Sequence, residues 1–189
     1  MANTDNPGYI GGTQLAGKNP YIKSFVVGTA DSTAIGLGAF VKPGGSAATY
    51  SADGQIYPTV AKAGSADAIL GRVTSVEPIT GDSKIYREAS TERLVKVNTD
   101  PDQLFEIQVD DSVAAADIGL NANIVDGTSV NTLGRQEEEI DISTKATTST
   151  LQLKILDVVK AVDNEIGSYT KVMAKINNHA RANNQTAGV

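Results

Sequence analysis

The chain contains no cysteine and no tryptophan, and its single histidine is His179. Without thiols there are no disulfides, no Cys-ligated zinc, no iron–sulfur cluster and no thiol nucleophile. One histidine rules out a multi-His metal site, and a Ser-His-Asp triad would have to be built around His179 itself. That residue opens the polar stretch 179–189, which has no apolar period, so it reads as a C-terminal tail with a solvated His179. Basic residues are in the minority: 16 Lys and Arg against 22 Asp and Glu leave a formal charge of −6. That is the wrong sign for a phosphate backbone, and no nucleic acid partner is expected. Aromatics amount to six Tyr and three Phe, so stacking platforms for sugars or bases are poorly supplied. No window approaches the roughly 18 apolar residues of a membrane helix, and MANTDNPGY lacks the regions of a signal peptide. The expectation is a soluble protein made in the cytoplasm, with no membrane partner.

What is abundant points to strands. Val, Ile and Thr supply 50 of the 189 residues, while Ala (23) and Gly (18) imply a core of small side chains. The length suits one domain or at most two. Residues 1–20 carry scattered glycines and prolines with few apolar side chains, and read as an extended N-terminal arm. Residues 21–178 read as a β-rich domain. YIKSFVV is the first strand, Ala39–Lys42 a short apolar stretch, and Pro43–Gly54 a loop ending in an Asp-Gly turn. Further strands are predicted at Ile56–Ala61, Ala68–Val76, Ile85–Arg87, Arg93–Asn98, Leu104–Val109, Ile124–Val125 and Lys171–Ile176, with at most one helical turn near Ala114–Ala116. Alternation is clearest where Phe105, Ile107 and Val109 face one way and Glu106, Gln108 and Asp110 the other. Between 151 and 166 two periods compete. Leu151, Leu153 and Ile155 fit a strand, whereas Ile155, Val159, Val162 and Ile166 fit a helical face; the Thr-rich entry favours a strand over Thr150–Val159. The fold class expected is mainly β, a small β-barrel or jelly-roll-like antiparallel fold with little helix.

Chemical motifs are sparse. Gly36-Leu37-Gly38 is followed by Val41 where a dinucleotide fingerprint needs its third glycine, and Gly44-Gly45-Ser46-Ala47 lacks the glycine that completes a nucleophile elbow. Carboxylates cluster at Asp100/Asp102, at Asp110/Asp111/Asp117 and in Gln136-Glu137-Glu138-Glu139-Ile140-Asp141, but no spacing matches a calcium loop. They are expected on solvated loops and strand faces. An enzyme using a pair among Asp110, Asp111 and Asp117 is the weakest reading; no catalysis, metal or cofactor is expected.

Several stretches together carry a resemblance: MANTDNP, DSTAIGLGAFVKPGGSA, GQIYPTVAKAGSADAILGRVTSVEP, YREASTERLVKV, DPDQLFEIQVDDSVAAADIGLNANIV and TSTLQLKILDVVKAVDNEIGSYTKVMAKINNH. Running from Met1 to about His179, they resemble the head decoration, or capsid cement, proteins of tailed bacteriophages. The resemblance implies a homo-oligomer, a trimer in preference to a dimer. It implies binding to the major capsid protein on the outer capsid surface of the virion, where the protein clamps neighbouring subunits of the expanded head. In the arm, Pro7, Tyr9, Ile10 and Leu15 are spaced as isolated anchors for a neighbouring subunit. The alternative is a β-rich module of a virion that binds carbohydrate or a host surface, against which the shortage of aromatics counts.

Overall fold

The structure is a computed structural model that describes residues 3–9, 13–14, 21–127, 129–182 and 185–189. Its strands, in chain order, are β1 (Thr13–Gln14), β2 (Ile22–Val27), β3 (Phe40–Thr49), β4 (Ile56–Lys62), β5 (Gly71–Val76) and β6 (Arg93–Asn98), followed by β7 (Leu104–Gln108), β8 (Asn121–Ile124), β9 (Ile140–Ala146), β10 (Leu153–Val158) and β11 (Lys171–Ile176). The helical content of the described residues is one 3-10 turn, Ala115–Asp117. The protein is mainly β, as the composition predicts.

Strands β2, β4, β3, β5 and β6 form a closed barrel. Closure comes through β2, which pairs with β6 over its whole length, from Ile22↔Asn98 to Val27↔Arg93, and with β4 at Val26↔Thr59. The other sheet has the order β1-β7-β11-β10-β8-β9. It also curls: Val109, one residue past β7, bridges Ile140 at the start of β9, and the Asp110 N–H donates to the Ile140 carbonyl at 3.0 Å. Five of its strands therefore make a second, nearly closed barrel, with β1 added outside β7. Closing a sheet on itself removes the exposed edges that invite unwanted strand pairing.

Each barrel has its own small-aliphatic core. The first gathers Phe25, Val27, Val41, Leu70, Val95 and Val97 among others. The second is built on the alternating residues Phe105, Ile107, Val172, Ala174 and Ile176, with Ile124, Ile140, Leu153 and Ile155. Phe40 joins them, since it leaves the first barrel on β3 yet packs in the second core, its ring centroid 5.4 Å from that of Phe105. The buried Arg72 of β5 places its guanidinium 5.4 Å and 5.1 Å from those two ring centroids. Gln152, fully buried, ties the units again: its Nε2 donates to the carbonyls of Gly64 and Asp67 at 2.8 Å, and its Oε1 accepts from the Ile124 N–H at 3.0 Å.

Several local expectations are corrected. Pro43–Gly54 is not all loop, because β3 continues to Thr49 through a bulge between Pro43 and Ala47. Gly44 is required there, as a Cβ would lie 2.4 Å from Thr59 Oγ1. Ile85–Arg87 forms no strand, only an isolated bridge from Arg87 to Ile35. Asp141 and its neighbours lie in β9, a strand hidden by the acidic run before it. The choice between helix and strand after 150 falls to the strand β10.

The described parts of both termini are docked. Asn3 Nδ2 donates to the carbonyls of Glu165 and Ser168, and Asn3 Oδ1 accepts from the Glu165 N–H at 2.9 Å. Gln108, predicted to face solvent, is buried beneath the arm, where its Nε2 donates to the Thr4 carbonyl at 3.0 Å and its Oε1 accepts from the Asn6 N–H at 2.7 Å. His179 is not solvated but 5% exposed, bridging Ile69 in parallel, with Nδ1 accepting from the Arg181 N–H at 3.1 Å. Burial holds its imidazole below the usual histidine range. At the other end of the tail, the Gly188 N–H donates to the Thr147 carbonyl at 3.0 Å.

Candidate functional site

The acidic clusters singled out in the sequence have separate structural roles. The Asp100 carboxylate accepts the Asp102 N–H across a turn, and Asp111 accepts the N–H of Ser112. Asp110 Oδ1 accepts the Ile142 N–H at 3.0 Å, satisfying the edge of β9, and burial raises its pKa. Burial also opposes ionisation of Asp117, but bonds from Lys145 Nζ (2.7 Å) and the Ala114 N–H (2.8 Å) hold its carboxyl below the ordinary range. Glu138 is not solvated. It is 2% exposed, ion-paired with Lys62 Nζ, and accepts the Phe40 N–H at 2.8 Å. Among the described residues no group of three or more metal-ligating side chains is placed to hold a cation.

Glu139 differs from its neighbour. Half-buried, with Oε1 lacking a hydrogen bond, it is pushed up to about 7 by burial and by the charges of Asp5, Asp110 and Glu137. A carboxyl whose folded pKa is raised holds its proton more tightly when folded. Its contribution to stability is complete below the ordinary glutamate value and disappears as the pH rises through about 7. Glu139→Gln, which carries no charge, should match the wild type near pH 4 and exceed it at pH 8 by about 1 kcal/mol after solvent screening. Thermal melts of both proteins across this range check the result. A difference that stays flat with pH would refute it.

A cleft carrying two arginines lies where the barrels meet. It encloses about 290 Å³ and is lined by Leu37, Gly38, Arg72, Val73, Thr74, Gln103 and Arg135. Local folding explains how these distant residues converge. Gly36-Leu37-Gly38, a failed phosphate-binding motif in the sequence, serves for close backbone approach: a Cβ on Gly36 would lie 2.7 Å from the Gly134 carbonyl oxygen. That approach lets Leu37 bridge Arg135, with the Leu37 N–H donating to the Gly134 carbonyl at 2.8 Å. Gln136 locks the contact, its Oε1 accepting from the Gly36 N–H and its Nε2 donating to the carbonyls of Gly127 and Ser129. On the opposite wall, Arg72 Nε donates to the Gly38 carbonyl at 2.8 Å and Nη1 reaches the Glu106 carbonyl at 3.4 Å. Burial lowers the Arg72 pKa to about 10, opposed by the charge of Glu138, so the guanidinium stays cationic at neutral pH.

Of the arm residues, Tyr9 is held on its own molecule. Its hydroxyl donates to Glu106 Oε2 at 2.8 Å and its ring lies under Lys171 Nζ, 5.1 Å from the centroid. Burial and the Glu106 carboxylate push the phenol up to about 12. Pro7 is exposed, and Ile10 and Leu15 lie outside the described residues. Neither Pro7 nor Tyr9 joins the cleft, and of its lining the sequence singled out only Leu37 and Gly38, for another role. Its arginines give no periodic or spacing signal.

Fold and cleft together define a mainly β, two-barrel protein with a cationic recess between the barrels. No family model, curated protein or solved structure matches the chain.

Proposed function

We propose that this chain is a structural virion protein of a tailed bacteriophage that binds the outer surface of the expanded capsid and cements neighbouring major capsid subunits. The sequence resemblance over 1–179 suggests it. The structural observation that carries it is the position of the exposed apolar side chains. Ile79, Ile85, Leu133, Val162 and Ile166 are all at least half exposed and lie on loops outside the strands of the two barrels, while Ile56 is exposed on β4. Ile85 lies over Gly134, beside Leu133. Loop-borne anchors on a β body suit contact with a lattice, and the charge of −6 suits an outer surface rather than one facing packaged DNA. A ligand that binds the mature shell and not its dissociated subunits stabilises it by about 2.7 kcal/mol per site at a hundred times its dissociation constant. The protein would act as a homo-oligomer, a trimer matching the local three-fold positions of such a shell.

The test is binding of purified protein to expanded capsids assembled without it, with light scattering to fix the oligomer. Ile85→Asp combined with Leu133→Asp should weaken binding at least about tenfold, since burying such side chains contributes about 1.5–3 kcal/mol each. The melting temperature should not change. Wild-type protein that leaves such capsids undecorated would overturn the reading.

A further inference from the structure

We infer that the cleft between the barrels is a recognition site for an acidic peptide segment of a partner protein, a Glu or Asp side chain entering together with its own backbone. Two guanidiniums line this cleft, yet among the described residues no carboxylate lies within ion-pairing distance of either Arg72 or Arg135. Arg135 is half-buried and its side chain has no hydrogen-bond partner among them. In a chain where acids outnumber bases, most lysines of the described residues touch a carboxylate; Arg135 touches none, and Arg72 feels Glu138 only beyond contact distance.

Arg72 is also fixed in place. It is 5% exposed, two of its nitrogens are held by the carbonyls of Gly38 and Glu106, and its face is occupied by the Phe40 and Phe105 rings. A guanidinium locked in this way is preorganised to receive a carboxylate without further loss of side-chain freedom. The remaining polar group makes the opposite demand. Gln103, in the cleft lining, is 3% exposed, and its Oε1 is sealed from solvent with no hydrogen-bond partner, so a turn of the side chain toward the cleft would give this acceptor a donor from an occupant.

An occupant must therefore bring an anion for the arginines and an N–H for Gln103. An oxyanion without a hydroxyl, such as sulfate, supplies only the first, and phosphate supplies an O–H but no methylenes for the apolar walls. A peptide carrying an acidic side chain supplies both, and a volume of about 290 Å³ accommodates a side chain with its flanking peptide groups. The apolar walls, Leu37 and Val73, suit the methylenes of that side chain. This assignment goes beyond the capsid reading and does not depend on it.

The experiment is a titration of the uniformly 15N-labelled full chain, followed by amide spectra, with N-acetyl-glutamate N-methylamide to about 50 mM, a range suited to a millimolar fragment. Parallel arms use the N-acetyl-glutamine analogue and inorganic phosphate. The expected result is saturable shifts at Leu37, Gly38, Val73 and Thr74 and at the Nε–H of both arginines. Affinity should fall about tenfold or more for the glutamine analogue, and likewise for Arg135→Gln protein, from loss of a charge-assisted bond. Arg135→Gln removes only a side chain without partners, so its spectrum away from the cleft should overlay that of the wild type. Absence of saturable shifts at these residues overturns the inference. So does equal binding of the glutamine analogue, or phosphate binding at the same amides as tightly as the glutamate compound, which would make the cleft a plain oxyanion site.

Discussion

Glu138→Gln is expected to destabilise the protein by about 3–5 kcal/mol, the range for removing one partner of a buried ion pair. Both partners are withdrawn from water, the Lys62 side chain at 5% exposure and that of Glu138 at 1%. Among the described residues Lys62 has only the Ala63 carbonyl at 3.1 Å and the largely exposed Asp126 carboxylate at 3.8 Å to fall back on. Once Glu138 is neutral, the ammonium must shed its proton or draw water into the junction of the two barrels. Gln retains an oxygen for the Phe40 N–H, so the substitution isolates the charge rather than the hydrogen bond. The double variant Lys62→Met/Glu138→Gln removes the stranded charge and should recover about 2 kcal/mol or more relative to Glu138→Gln alone. Urea unfolding at pH 7 measures both. A double variant as unstable as the sum of the singles would show that the pair is not coupled.

Arg87→Lys should lower the melting temperature by about 10 °C, equivalent to a loss of about 3 kcal/mol for a chain of this length. Arg87 is fully buried at one end of the first barrel, where it donates to four carbonyls, those of Thr33, Gly28, Asp31 and Thr91, with Asp31 Oδ1 at 3.7 Å. The fork shape of the guanidinium lets one side chain join loop 28–33 to loop 87–91; an ammonium is a point charge that cannot span the same acceptors. Calorimetry on the two proteins decides this. A melting point within about 2 °C of the wild type would mean that water takes over the carbonyls at little loss.

The two elements whose bounds the sequence predicts without error, Arg93–Asn98 and Lys171–Ile176, show why parts of this fold are legible. In β11 a two-residue period matches a strand with one buried face, so Val172, Ala174 and Ile176 announce themselves. β9 fails the same test because its entry, Glu137–Glu139, looks solvated. Burial of Glu138 depends on Lys62, a partner from the other barrel that no local pattern reveals. β3 is obscured by Pro43-Gly44-Gly45, turn chemistry that the fold uses instead for a bulge against β4. Arg87 reads as the end of a short strand, whereas its worth lies in the carbonyls it reaches. The cleft is the least legible feature. Its members come from 37–38, 72–74, 103 and 135, stretches brought together only when both barrels exist.

The order of the two barrels along the chain has a consequence for synthesis. All strands of the first lie between Ile22 and Asn98, so it can close while the ribosome is still at work. The second needs β11, and the contact from Asn3 to Glu165 spans 162 residues. At about 5–20 residues per second, the interval between the emergence of β6 and that of β11 is of order 4–16 s. Throughout it, Phe40, Ala63 and Ile69 stand on a finished barrel with the core they belong to still unmade. The nascent first half thus presents a sticky apolar face to its surroundings. The docking of Asn3 near Glu165 must wait for the second barrel, although Asn3 leaves the ribosome before any strand of the first.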